Sequence, residues 1–187
     1  MLATYSREDP VPVPLLLELF HGAGVAPSEA WIEFHRAFAG YWEPLGGGEV
    51  AVWGLAVERG TGLYFQPRTL SFGRRSDADG QPDRVFCADV HPSHDYYLKR
   101  DGEFVGLPFR SQSFWTKVER DAIEWSVMAE RGRATSVRTE RGSVPQLHGE
   151  TLVVEASDAF ARYYLSPSSL VLEVLWPKPW FRVSSWG

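Results

Sequence analysis

The sequence of 187 residues predicts an α+β fold in which an antiparallel β-sheet packs with N-terminal helices and one long helix after the central hairpin. Segments with helical spacing of apolar residues come first, short strand-like segments cluster in the middle, and the longest helical segment follows a hairpin signal. This order does not alternate strand with helix, as a parallel sheet would require. We therefore expect an extended N-terminal segment at 1–14 and a single α+β domain over 15–187.

Two short helices are predicted near the N-terminus. Residues 15–20 are almost entirely leucine and phenylalanine and are followed by Gly22 and Gly24, which favour the end of a helix. Ser28 is a suitable N-cap for a second helix. Apolar residues of that helix recur three and four positions apart: Trp31, Phe34, Phe38 and Tyr41. We expect them to form one buried face.

The middle of the chain predicts strands joined by turns. Gly46-Gly47-Gly48 is interpreted as a helix-to-strand turn, and the alternation in 49–58 predicts the first strand. A polar loop is predicted at 73–83, and Arg100-Asp101-Gly102 predicts a tight hairpin because of its Asp-Gly pair. Further strands are predicted at 63–65, 69–72, 85–90, 96–99 and 103–105.

The C-terminal part predicts one long helix and further short elements. Ser111 or Ser113 can cap a helix that runs to about Arg131. Its apolar residues recur at spacings of three and four, and we expect this stripe to be buried: Trp115, Val118, Ala122, Trp125 and Ala129. The region 132–149 has no clear period and predicts a loop or an irregular strand. The remaining elements are a strand at 151–155, a helix at 157–165 and a strand at 169–176.

Composition limits the classes of function. The formal net charge is -5 and the isoelectric point is about 5.6, whereas a general nucleic-acid binder needs a basic surface. No run approaches the roughly 18 apolar residues of a membrane helix, and residues 1–9 do not resemble a secretory signal. A single cysteine, Cys87, excludes an internal disulfide. We expect a cytoplasmic protein with no direct contact to nucleic acid or membrane.

One segment carries side chains that can bind a metal ion. Cys87, Asp89 and His91 occupy alternate positions of a predicted strand, so they would share one face, and His94 follows three residues later. Structural zinc sites usually show two pairs of Cys or His, so a core cysteine and turn histidines are the preferred interpretation. The sequence also contains no Gly-x-Ser-x-Gly motif. We therefore predict no catalytic residue, no metal and no cofactor, with a small metal-dependent or hydrolytic enzyme using residues 87–94 as the alternative.

Several stretches carry turn motifs in a distinctive order. Residues 17–27 read Leu-Glu-Leu-Phe-His-Gly-Ala-Gly-Val-Ala-Pro and lead to Trp-Ile-Glu-Phe at 31–34 and to the triple glycine at 46–48. Residues 95–105 join a strand to the Asp-Gly hairpin, and Ser-Phe-Trp-Thr-Lys-Val at 113–118 opens the long helix. This succession is similar to that of SUKH-type (Smi/Knr-like) proteins.

The resemblance covers roughly residues 15–130. Ala26-Pro27 stands where Leu-Pro is usual, and 132–187 extends beyond the family core. The resemblance implies a non-catalytic bacterial immunity protein that binds and occludes a cognate polymorphic toxin, such as a basic nuclease. A toxin-independent interaction domain is the other interpretation. The candidate partner-binding residues are acids of the polar loop and a pair near the Gly turn: Trp42, Glu43, Asp77, Asp79 and Asp83.

Overall fold

The computed structural model confirms the predicted α+β class. It describes residues 7–46, 49–55, 70, 72–73, 79–90, 96–106, 109–130, 135–140, 147, 149–175 and 179–186. Within these ranges the chain forms three helices and three antiparallel sheets. The chain divides into two compact units, Met1–Phe109 and Arg110–Gly187. The expectation of a single domain over 15–187 stays a prediction.

The first helix, α1 (Val13–Gly22), begins two residues earlier than the sequence predicts, with prolines at its start. Leu16 and Phe20 are its buried residues. The chain leaves the helix through Gly24, whose φ of 69° suits glycine. The predicted end at the two glycines is therefore confirmed.

The second helix, α2 (Glu29–Phe38), begins at the predicted cap. The Ser28 side chain accepts a hydrogen bond of 3.3 Å from the backbone N–H of Trp31. Trp31, Phe34 and Phe38 are buried as expected. The prediction was wrong for Tyr41, which lies beyond the end of the helix.

A three-stranded antiparallel sheet follows, with β1 (Trp42–Gly46) paired to β2 (Glu49–Trp53). The triple glycine is therefore not a helix-to-strand turn as predicted, because Gly46 already belongs to β1. The strand β1 was missed since it is short and contains a proline, Pro44. In β2, Ala51, Val52 and Trp53 are all buried, so this strand is covered on both faces rather than alternating as predicted.

The predicted strand at 85–90 is two strands in different sheets. Residues Arg84–Phe86 form β3, and Ala88–Val90 form β4, which completes the first sheet beside β2. Between them, the backbone N–H of Cys87 donates to the carbonyl oxygen of Tyr96, and its own carbonyl accepts from Gly54. A single residue thus carries the chain from one sheet to the other.

Within the first unit, the second sheet has the order β3, β5 (Tyr96–Lys99), β6 (Phe104–Gly106), and both of these pairings are antiparallel. The turn between β5 and β6 is the predicted Asp-Gly hairpin, with Gly102 at φ 90° and its N–H bonded to the carbonyl oxygen of Lys99. The prediction for 63–65, residues 69 and 71 of the predicted strand at 69–72, and residues 74–78 of the predicted loop lie outside the described residues.

The boundary between the two units falls within the short strand β7 (Phe109–Ser111), and the second unit continues into α3 (Phe114–Glu130). The Ser113 hydroxyl accepts from the backbone N–H of Thr116 at 3.1 Å, which confirms the predicted cap. A five-stranded antiparallel sheet follows. Its strands, in order across the sheet, are β8 (Thr135–Glu140), β12 (Trp180–Ser185), β11 (Ser169–Val174), β10 (Ala161–Leu165) and β9 (Thr151–Leu152).

Two predictions for this unit were wrong, and one strand was not predicted. The region predicted as a loop or an irregular strand contains a regular strand, β8, which pairs with β12 from Thr135 opposite Ser185 to Glu140 opposite Trp180. The helix predicted at 157–165 is a turn followed by β10, in which Ala161 and Tyr163 are buried and alternate with an exposed Arg162. The strand β12 was not predicted. Long-range pairing forms these strands, and local spacing does not reveal it.

The core of the second unit contains Val127 of α3 and residues of the sheet, with Ile123 packed against them. The stripe predicted to be buried is therefore the wrong one, because Trp115 is 56% exposed and Trp125 is 50% exposed. The core face of α3 lies on the opposite side of the helix.

None of the helices in the described ranges is long and apolar enough to cross a membrane. The longest, α3, has 17 residues. A cytoplasmic location stays a prediction.

Candidate functional site

An open groove in the first unit is the candidate site. Its volume is about 780 Å³, and its lining is mostly apolar. The side chains that shape it include Leu17, Glu18, His21, Val25 and Gln81. We call it the α1 groove. Concave, mainly apolar surfaces with a few polar groups are typical of binding sites.

The groove is built almost entirely from one segment. Every described lining residue except Gln81 belongs to 17–27, that is, to the end of α1 and the link to α2. In α1, Leu15 and Leu17 are about half exposed while Leu16 is buried, because only one side of a surface helix can face the core. The segment therefore combines a buried anchor with an apolar outer surface.

Two hydrogen bonds fix the backbone of Ala26, one of the lining residues of the groove. The backbone N–H of Ala26 donates to the Gln81 side-chain oxygen at 3.1 Å, and its carbonyl oxygen accepts from the Arg100 guanidinium at 3.0 Å. Arg100 also lies over the Trp31 ring, 5.1 Å from its centroid. Since the link is fixed before any partner arrives, binding costs less conformational entropy.

The segment that builds the groove is anchored in the core by Phe20, which is buried behind the lining residues. Phe20 is 1% exposed and stacks on Trp31 with ring centroids 5.6 Å apart. The indole N–H of Trp31 lies 3.0 and 2.9 Å from the carbonyl oxygens of Leu98 and Lys99. The backbone N–H of Val25 donates to the carbonyl oxygen of Phe20. These contacts join α1, α2 and the hairpin into one support.

One acidic side chain lines the groove, and two more lie close to its lining residues in sequence. Glu18 is exposed and brings a carboxylate into the lining. Glu29, two residues after Pro27, and Asp79, two residues before Gln81, are also exposed. The nearby cation, Arg100, donates to Ala26. The electrostatic character of this surface therefore suits a basic partner.

The residues predicted to contact a partner lie on different elements. Trp42 and Glu43 are on β1, where the Glu43 carboxylate accepts from the Trp53 indole N–H at 2.8 Å. Asp83 precedes β3 and forms a bidentate pair with Arg84, at 2.8 and 2.6 Å. Both carboxylates thus have structural contacts.

Of the remaining acids, Asp79 is near the α1 groove in sequence, and Asp77 lies outside the described residues. A partner-binding role for the predicted set stays a prediction. The segment 17–27 carries part of the family resemblance, but none of its side chains is among the predicted partner-binding residues. The available signal was the Leu15-Leu16-Leu17 run, which places leucines on more than one side of a helix.

The alternative metal segment is only partly described. Cys87 is 2% exposed between β3 and β4, and Asp89 lies on β4. His91 and His94 fall outside the described residues. No group of three or more potential metal-binding side chains occurs in the part of the chain that the structure describes. The enzyme interpretation stays a prediction.

Comparison of the chain with family models, with curated proteins and with solved structures finds no match. The SUKH-type resemblance accordingly rests on the sequence stretches 17–27, 31–34, 46–48, 95–105 and 113–118.

Proposed function

We propose that this protein is a non-catalytic immunity protein of the SUKH type, which binds a cognate bacterial toxin and blocks it by occupying its surface. One observation carries the proposal: the segment 17–27, one of the stretches that carry the family resemblance, also builds nearly all of the α1 groove. A motif of turn residues alone would not require a concave, apolar and preorganised surface at the same place.

The groove would serve as the apolar anchor of the complex. Leu17 is 43% exposed, and burying the rest of a leucine side chain contributes about 1 kcal/mol or more to association. Stable complexes bury roughly 1,600 Å² in total, which is more than one groove provides. The surrounding acidic surface would supply the remaining contacts.

The charge of the protein favours a basic partner. The net charge is -5, and Glu18, Glu29 and Asp79 are exposed close to the groove in sequence. A nuclease presents cationic groups where phosphates bind, and carboxylates can occupy these positions and accelerate association. Inhibition needs no covalent step, because an occupied cleft excludes the substrate.

The test is co-expression with the product of the gene directly upstream, with growth rescue and complex formation measured together. The chain offers a matched pair of variants, since Leu15 and Leu17 are 45% and 43% exposed on the same helix but only Leu17 lines the groove. We expect Leu17→Glu to weaken the complex about tenfold or more and to reduce rescue, because it places a second carboxylate against an apolar contact. Leu15→Glu should behave as the wild type.

Absence of both complex and rescue for the wild-type chain would contradict the immunity function for that gene pair. Equal behaviour of the two leucine variants, with the complex intact, would instead show that the partner binds elsewhere on the protein.

A further inference from the structure

Helix α3 has two faces, and each contains apolar residues at spacings of three and four. The inner face includes Ile123 and Val127, which belong to the core of the second unit. The outer face includes Trp115 and Trp125, whose mean direction on the helix wheel differs from that of Ile123 and Val127 by about 140°. Helix α3 therefore carries a second apolar face in addition to the one that packs in the core of its unit.

The inner face is fixed by buried polar contacts. Arg120 is 7% exposed and pairs with Asp158 at 2.6 Å. Tyr163 donates to Glu124 at 2.9 Å, and burial, with the nearby Glu124 carboxylate, raises the pKa of Tyr163 well above its usual value. The phenol therefore stays protonated as a donor. Because these contacts set the rotation of α3, the tryptophan face must point away from this core.

The outer face presents two large aromatic rings. Trp115 is 56% exposed and Trp125 is 50% exposed. They are ten residues apart, which corresponds to about 15 Å along a helix at ~1.5 Å per residue. Exposed tryptophans are uncommon on protein surfaces and are enriched among the residues that dominate binding energy.

The charges on α3 indicate what these rings would bind. Glu119 is exposed one helical turn after Trp115. Both basic residues of the helix have intramolecular partners: Lys117 pairs with Asp121 at 2.6 Å, and Arg120 pairs with Asp158. The outer face thus combines indole rings with a carboxylate. A guanidinium group can stack on an indole and pair with a carboxylate at the same time.

We propose that the outer face of α3, formed by Trp115, Glu119 and Trp125, binds arginine side chains on the surface of a partner protein. This surface lies in the second unit and does not depend on the α1 groove. The acidic net charge of the chain, -5, supports a basic occupant over a second copy of the same chain.

The test is an NMR titration of the full ¹⁵N-labelled chain, in which the indole N–H signals report on each tryptophan. The probe is a capped peptide with three arginines separated by alanines, and the counter-probe replaces each arginine with glutamate. Trp115→Phe and Trp125→Phe variants assign the two signals. We expect both signals to shift with the arginine peptide, less so at high salt, and not with the glutamate peptide.

Variants then quantify the contacts. Trp125→Ala should raise the Kd for the arginine peptide about two- to fivefold, and Glu119→Gln should raise it about twofold. Val154 is 69% exposed in the same unit but outside α3, so Val154→Ala is the matched control and should leave the Kd unchanged.

Three outcomes would overturn the proposal. The first is the absence of a shift at both indoles, or shifts confined to the other tryptophans. The second is an equal response to the glutamate peptide. The third is movement of the two signals on dilution of the protein alone, which would assign the face to self-association. The titration of the wild-type chain decides these outcomes even if a variant fails to fold.

Discussion

Helices α2 and α3 each have a stripe of apolar residues at spacings of three and four that includes tryptophan, yet α2 buries its tryptophan and α3 exposes its two. Trp31 of α2 is 2% exposed, whereas Trp125 of α3 is 50% exposed. The same pattern therefore marks the core side of one helix and the solvent side of another. The spacing of apolar residues identifies an apolar face of a helix. The residues on the opposite face of the same helix determine whether that apolar face is buried.

The opposite faces of the two helices differ in how their charged residues are satisfied. On α2, Glu33 and Arg36 are exposed to solvent. On α3, Arg120 is buried and donates to the carbonyl oxygens of Ala156 and Arg110 in addition to its pair with Asp158. A charged residue can thus occupy a core position when distant parts of the chain supply its partners.

The largest expected effect compares the two tryptophans directly. Trp31→Ala should lower the free energy of unfolding by about 3–5 kcal/mol, because it removes a buried ring and its hydrogen bond. Trp125→Ala should change it by about 0.5 kcal/mol or less, as at other surface positions. Urea unfolding of both variants measures the difference. Similar losses would break the comparison by showing that the α3 face supports the fold.

The second prediction concerns the buried charge of α3. Arg120→Ala should lower the free energy of unfolding by about 3 kcal/mol, the lower end of the range for a broken buried pair. The loss is limited because Asp158 also accepts hydrogen bonds from the backbone N–H groups of Gln112 and Phe160.

The matched control for this charge is Arg162, which pairs with Glu173 and has a half-exposed side chain. Arg162→Ala should cost about 0.5 kcal/mol or less in the same urea experiment. An Arg120→Ala variant as stable as Arg162→Ala would show that the inner face of α3 does not depend on its ion pair.

The smallest effect at neutral pH concerns the buried polar residue of α2, His35. Its Nε2 lies 2.7 Å from the carbonyl oxygen of Val11. Burial lowers the pKa of His35, the hydrogen bond to Val11 opposes this, and the Arg7 guanidinium lowers the pKa further. The unfolded chain therefore binds a proton more readily than the folded chain.

It follows that the contribution of His35 is complete above a pH of about 6.5 and is lost as the pH falls through its lower folded pKa. We expect the free energy of unfolding to decrease from pH 7 to pH 5 with a slope from this group of at most about 1.4 kcal/mol per pH unit. His35→Gln should reduce that slope. If the free energy of unfolding of the wild type stays constant or rises as the pH falls, the predicted direction of the His35 contribution is wrong.

Local chemistry was sufficient to predict the helix starts and the hairpin. Ser28 and Ser113 cap their helices as expected, and Gly102 adopts the positive φ that its turn requires. The regular pairing of β8 and the strand β10 were not predicted, because the partner strands determine them. The pairing of Thr135 with Ser185 joins residues far apart in the chain, and no local spacing encodes it.

The candidate site was predictable only in part. The sequence singled out 17–27, but the groove also needs Gln81 and Arg100, which lie 55 and 74 residues from Ala26, the residue that they hold. The exposure of Trp115 and Trp125 could not be inferred either. It depends on the partners of Arg120, which come from segments both before and after the helix.

The single-residue connection at Cys87 fixes the register of two sheets together. Side chains alternate along a strand, so a slip of one residue in the pairing of β3 with β5 would turn every side chain of β3 to the other face. Because only Cys87 separates β3 from β4, the same slip would also shift β4 along β2 and move the buried Cys87 thiol. The correct register of one sheet therefore favours the correct register of the other.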